Sequence, residues 1–222
     1  MFTDYVETTT PQAKKKEKKD MIPGGLHVAR LYACIDIGTQ EGSKQFPTPK
    51  RKILFIWELP KIKRIFKEEL GKQPLVKEKT YNWNTNMGAD KSGLIIDLKS
   101  WFSDAQPDGD VQYWVENCII GKPAYLNISL VQDKNDVQKW YNNVEAVLPL
   151  PEDITCPPAI TPTVKFDMFG KTFDFDTFVK LPKWIMKKIE ESPEYKQHME
   201  QPKEQKAAQV GFETALHNDL PF

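Results

Sequence analysis

In "LVKEKTYNWNT" (75–85) two lysines and two aromatic residues fall at every second position: Lys77, Lys79, Tyr81 and Trp83. A strand, whose side chains alternate between faces, sets all four on one side. Cations that track phosphates and rings on which bases stack are what a protein needs to hold an unpaired polynucleotide, each stack contributing about 1–3 kcal/mol. Two other runs add residues of the same kinds. "HVARLYACIDIG" (27–38) carries Arg30 and Tyr32 opposite its apolar positions, and "PAYLNISLVQ" (123–132) carries Tyr125. Lys50, Arg51 and Lys52 lead into a further apolar run next door. A one-residue slip in register would exchange the faces and turn Tyr81 and Trp83 inward, so on the sequence both readings of that face stay open.

The residue inventory assembles no catalytic set, and a non-enzyme without metal or cofactor is expected. His27, His198 and His217 have no nearby carboxylate or nucleophile, and no nucleophile elbow, phosphate-binding glycine loop or H-E-x-x-H occurs. A metal-dependent nuclease needs clustered carboxylates beside a lysine; the nearest candidate is Asp36, Glu58, Glu78 and Asp97 with Lys99. Cys34, Cys118 and Cys156 lie far apart without C-x-x-C spacing, which excludes a recognisable zinc site or disulfide framework.

Total charge is uninformative, at 31 basic and 31 acidic residues, but its distribution is not. Between Lys44 and Lys79 stand 11 basic residues against four acidic ones, and from Pro151 onward nine basic against 12 acidic. A basic body with an acidic tail is the asymmetry that accompanies nucleic-acid binding. No apolar stretch reaches the length of a membrane span, and the N-terminus has no apolar signal segment. These features predict a soluble protein with no membrane partner, and they leave self-association open.

The elements that must position these side chains follow from periodicity. Residues 1–24, with five lysines at 14–16, 18 and 19, have too little apolar content to fold and are expected to form a disordered basic arm. Period two predicts a first strand ending at Gly38, with Leu31, Ala33, Ile35 and Ile37 on its core face. "KILFIWEL" (52–59) predicts a second, stopped by Pro60. "PKIKRIFKEEL" predicts a short basic helix closed by Gly71, and 75–85 a third strand. A helix is expected over 89–104, a short apolar piece at Tyr113–Val115, and further strands at 123–132 and 138–151. Five strands with a helix between the third and fourth predict a mainly β chain built on an OB-fold barrel over 25–150, which binds oligonucleotides across its second and third strands. A proline-rich and aromatic extension over 151–195 should include a helix with Trp184, Ile185 and Ile189 on one face. Residues 196–222 read as a disordered tail.

That tail finishes on Asp219, Leu220, Pro221 and Phe222, which resembles the tip of bacterial and phage single-stranded DNA-binding proteins. The resemblance implies a partner-binding tip that recruits replication and repair proteins, the ring seating in an apolar pocket and the terminal carboxylate on a basic residue. This tip departs from the family in having His217 and Asn218 where further aspartates would stand. The combination "ARLYACIDIGTQ", "KILFIWELP", "IIGKPAYLNI" and "LPKWIMKKIEESPEY" is similar to a family of bacteriophage proteins that includes ones designated single-stranded DNA-binding. It implies a role in phage replication or recombination in the cytoplasm of an infected bacterium, with single-stranded DNA as ligand. The alternatives are an OB-like protein-interaction factor without DNA binding and, third, the nuclease.

Overall fold

The computed structural model describes residues 21–65, 68–86, 88–102, 111–168 and 173–200. The chain is mainly β. A six-stranded sheet is formed by β1 (Gly25–Gln40), β2 (Lys50–Ile65), β3 (Lys72–Asn82), β4 (Pro123–Gln132), β5 (Trp140–Leu148) and β6 (Val164–Phe166). Its order is β3-β2-β1-β4-β5, all antiparallel, with β6 lying parallel to β1 beside Ala33–Ile35. The terminal strands β3 and β5 touch without a ladder between them, so the sheet is curled but not closed. Between β3 and β4 come α1 (Gly93–Trp101) and α2 (Val111–Asn117); after β6 come α3 (Phe175–Phe178), α4 (Lys183–Glu191) and α5 (Pro193–Glu200).

Two cores lie on opposite faces of β1 and β2. The inner one joins Phe55, Trp57 and Tyr81 from the sheet to Leu94, Leu98 and Trp101 of α1 and Val115 of α2. The outer one joins Ala33, Ile35, Leu54 and Ile56 to Phe166, Phe178, Ile185 and Ile189. A strand buried on both sides reads as a nearly continuous apolar run, which is the pattern of "KILFIWEL". The extension after residue 163 is therefore the cover of a sheet face. On α4, Ile185 and Ile189 share the buried stripe at i, i+4 spacing, but Trp184 stands a third of a turn away and is 46% exposed. The expectation that all three share one face is corrected accordingly.

Several further expectations change. Leu31 faces the inner core while Ala33, Ile35 and Ile37 face the outer one, because a bulge between Leu31 and Ala33 leaves Tyr32 as an extra residue and flips the alternation. β1 does not end at Gly38. It continues to Gln40 through a second irregularity where Gly38 takes φ +69°, and a Cβ there would lie 2.6 Å from Cβ of Ser192 at the α4–α5 junction. Among the described residues of 60–70 there is no α-helical turn of the basic helix expected there. β2 instead runs on to Ile65, paired with Lys72–Pro74, and only Glu68–Leu70 form a 3₁₀ turn. Pro60 sits in the irregularity between Leu59 and Lys63, where its missing N–H costs no ladder bond.

At the ends, Met21 and Ile22 are buried, and the amide of Asn142 both donates to the carbonyl of Ile22 (2.7 Å) and accepts from its N–H (2.8 Å). Residues 21–24, expected in the arm, are therefore held against the sheet at Met21 and Ile22, and residues 196–200, expected in the tail, belong to α5. Residues 1–20 and the 219–222 tip lie outside the described residues.

Candidate nucleic-acid interface

The strand carrying Lys77, Lys79, Tyr81 and Trp83 is β3 with its C-terminal continuation, and its register is fixed by β2. Lys77 stands opposite Trp57, Lys79 opposite Phe55, and Tyr81 opposite Ile53. Directly paired residues point to one side, so these residues share a face as expected, but it is the inner one. Tyr81 is 4% exposed, packs against Phe55 with ring centroids 5.1 Å apart, and donates its hydroxyl to Asp97 Oδ2 at 2.6 Å. Burial and the neighbouring Asp97 carboxylate push its phenol well above 10. Its ring offers no open face, and the expectation of Tyr81 as a stacking platform is corrected. The same Asp97 oxygen accepts from Lys79 Nζ at 2.6 Å, which holds that cation partly buried. Lys77 pairs with Glu78 at 3.2 Å.

The other expected contacts divide between faces. Arg30 is built into the structure, donating to the carbonyls of Gly121 and Pro157, both at 2.8 Å. Opposite it, Glu58 is fully buried and accepts from the amides of Ile160 and Thr161 (3.1 and 2.9 Å), which ties the proline-rich segment to the sheet. Arg51 grips Asp36 Oδ2 through Nε (2.8 Å) and Nη2 (2.7 Å). Burial nonetheless holds the Asp36 carboxyl above its usual range, against the pull of Arg51 and of the Gly38 amide. Tyr32 packs on the outer core with its phenol pushed up to about 12, first by burial and then by Glu58 and Glu78. Tyr125 is half-buried on β4, opposite Val28 and away from the inner core. Five of the ten expected residues (Arg30, Arg51, Lys77, Lys79 and Tyr81) are therefore committed to hydrogen bonds or ion pairs within the chain.

What the fold does bring together is the end of the β2–β3 pair. A groove of about 840 Å³ runs beside the exit of β3 and the entry to α1, lined by Lys50, Lys79, Asn82, Trp83, Asn84 and Lys91 among others. Trp83 is half-buried, its N–H donating to the carbonyl of Arg51 at 2.8 Å; Lys50, Asn82 and Lys91 are exposed. One carboxylate, Asp90, also lines it, paired with Lys99 at 3.0 Å. A second groove of about 490 Å³ shares Lys50 and Asn82 and continues under the β1–β2 loop past Lys52, Gln45 and Phe46, with Glu41 at its edge. Phe46 is 69% exposed. The loop is tightly folded at Gly42, where a Cβ would lie 2.2 Å from the Phe46 carbonyl oxygen. Together the two grooves, which share Lys50 and Asn82, form a channel with a ring near each end, lysines between, and the amides of Gln45, Asn82 and Asn84.

From the expected set this channel gathers Lys50, Lys52, Lys79 and Trp83, along with the edge of Tyr81. Phe46 and Lys91 join it without having been singled out, since loop residues carry no period to reveal which way they point. The carboxylates of the nuclease candidate are scattered among separate partners: Asp36 to Arg51, Glu58 to two backbone amides, Asp97 to Lys79 and Tyr81. Among the described residues no three His, Cys, Asp or Glu side chains gather where a cation could sit, and no helix is long and apolar enough to cross a membrane. Cys34 is buried, and burial raises its thiol pKa strongly. No protein-family model and no curated protein matches this chain.

Proposed function

We propose that the chain binds single-stranded DNA without sequence preference, in a phage replication or recombination setting, and recruits partner proteins through its Asp219–Phe222 tip. The observation that carries this reading is the channel from Phe46 to Trp83, in which two rings flank Lys50, Lys52 and Lys91. Rings supply stacking for any base and lysines supply phosphate contacts, and neither reads sequence. The strand order, with α1 and α2 between β3 and β4, supports an OB-fold core.

Titration of the full chain with oligo-dT, followed by tryptophan fluorescence at two salt concentrations, tests the reading. Quenching is expected at low salt, with affinity falling as salt rises by a log–log slope of about −0.7 per phosphate contact. Trp83→Ala should weaken binding by about 1–3 kcal/mol, and Lys50→Glu with Lys91→Glu should flatten the salt dependence. Absence of both quenching and a gel shift at low salt would overturn the reading.

A second reading, as a protein-binding module, is favoured by one observation. Phe175, Val179 and Trp184 leave apolar surface exposed at the α3–α4 corner. Replacing Trp83, Lys50 and Lys52 together separates the two, because a pure protein binder has no DNA affinity to lose.

A further inference from the structure

Beyond Leu59, β2 leaves the sheet. β1 pairs with β2 only from Lys50 to Glu58, so residues 60–65 have β3 alone as a partner and form, with Lys72–Pro74, a two-stranded ribbon. The ribbon has distinct sides. Ile62 packs on the inner core and Arg64 donates to the carbonyl of Met21 at 3.2 Å, whereas Lys61, Lys63, Ile65 and Lys72 are exposed. Ile65 stands directly opposite Lys72, so both project to one side. This side therefore presents three lysines around an isoleucine that is 58% exposed. The acids nearest in the chain are Glu68 and Glu69, exposed in the turn beyond the tip, and Glu58, buried below it.

We propose that this ribbon is a duplex-DNA contact separate from the channel, so that the chain favours a junction between double and single strands over a free single strand. The occupant follows from what the ribbon offers and lacks. Its described residues offer lysines and an aliphatic side chain but no aromatic ring (Phe66 and Lys67 lie outside them), so what they supply is phosphate contact rather than the base stacking that holds a single strand. Lysines two positions apart in a strand stand about 7 Å from each other, and such a row suits a regular line of phosphates. A two-stranded ribbon is moreover one of the shapes that the duplex major groove, about 12 Å wide, admits. The ribbon and the channel occupy opposite ends of β2. From Lys52 to Lys61 the strand spans at most about 30 Å, a distance that a few unstacked nucleotides cross. The junction preference rests on the single-strand reading above; the duplex contact itself does not.

The test uses the full chain with three probes: oligo-dT, a blunt duplex, and the same duplex carrying an oligo-dT overhang. The variant is Lys61→Glu/Lys63→Glu/Lys72→Glu, its fold checked by circular dichroism and thermal melting. The glutamine triple variant serves if charge reversal disturbs folding. The parent chain should bind the overhang probe at least about tenfold tighter than oligo-dT, and the triple variant should lose that advantage while keeping oligo-dT affinity within about twofold. Its salt slope on the duplex should fall by about 0.9 per lost phosphate contact. An equal loss on oligo-dT and on the overhang probe would show that a single strand occupies the ribbon, and would overturn the inference. No advantage for the overhang probe in the parent chain would overturn it as well. If the parent chain fails to bind oligo-dT, the single-strand reading fails and the ribbon is judged on the blunt duplex alone. Binding at low salt that the triple variant abolishes then supports the duplex contact, and no duplex binding refutes it.

Discussion

The two faces of the β1–β2 pair are both buried, but by different kinds of cover. The inner face is closed by the curl of the sheet and by α1 and α2, which the chain inserts between β3 and β4. The outer face is closed by the last described segment, β6 to α5, which follows the five antiparallel strands in the chain and joins the sheet only through β6 beside β1. The inner cover is threaded between strands and cannot leave without breaking the sheet. The outer one comes after β5 in the chain, so its opening would leave the β3-β2-β1-β4-β5 ladders intact. That difference also explains where charge is spent. Polar residues under the threaded cover are locked in pairs, such as Asp97 with Lys79 and Tyr81, whereas exposed cations such as Lys50 and Lys91 stand at strand ends and in loops.

The largest expected effect follows at the centre of the inner face. Trp57 is fully buried, with Phe55 and Trp101 rings around it at 5.8 and 6.5 Å between centroids. Trp57→Ala should cost about 3–5 kcal/mol and shift urea unfolding as one cooperative transition by every probe. Ile185→Ala removes a fully buried side chain from the outer face and should cost about 2–5 kcal/mol if all of it is felt globally. If the outer cover opens on its own, the loss appears instead as faster amide exchange confined to 164–200, with the midpoint of sheet unfolding little changed. Coincident loss of protection in α4 and in β3 would break the distinction between the two covers.

The sequence made the strands legible where one face is wet or a turn intervenes. β4 was expected at 123–132 and is Pro123–Gln132; β5 and α1 lie within the ranges expected for them. Errors came where two patterns fit the same residues. Ile62 and Ile65 suit helical spacing as well as a strand's propensities, and only pairing with Lys72–Pro74 decides between them. The faces of β1 were misassigned because a bulge at Tyr32 is invisible to a period-two reading. For the site, alternation puts Lys77, Lys79 and Tyr81 on one side, as their pairing with β2 has them, but nothing local says that α1 closes over that side. Phe46 and Lys91 were overlooked because a loop has no alternation from which to infer exposure.

A smaller effect is expected at Asp97, whose single oxygen serves two donors. Asp97→Asn should cost about 1–3 kcal/mol, the range for losing charge-assisted hydrogen bonds while a partly buried cation stays behind. Its effect on DNA should run the other way. Lys79 lines the channel, and freeing it from a carboxylate should leave oligo-dT affinity unchanged or raise it. A variant that loses stability and affinity together would show that the inner face shapes the channel rather than competing with it.

The smallest effect is silent at neutral pH and appears only in alkali, where Tyr81 reports on the inner face and Tyr32, with Tyr195 on the same side, on the outer one. Tyr32 on the outer side is pushed up to about 12, and Tyr81 on the inner side well above 10; burial is the first cause in both. A phenol whose pKa is raised by folding favours the folded state fully below its unfolded value of about 10, and that contribution is lost as pH climbs through the folded value. Stability should therefore fall between about pH 10 and 12, by an amount that shrinks in Tyr32→Phe and in Tyr81→Phe. Ultraviolet titration of phenolate at each pH tells the faces apart. If the outer cover opens first, Tyr32 ionises while Tyr81 is still protonated and the inner core still melts cooperatively. If both phenols ionise together at the unfolding midpoint, the two covers are one cooperative unit, and the hanging segment is as integral to the sheet as the threaded one.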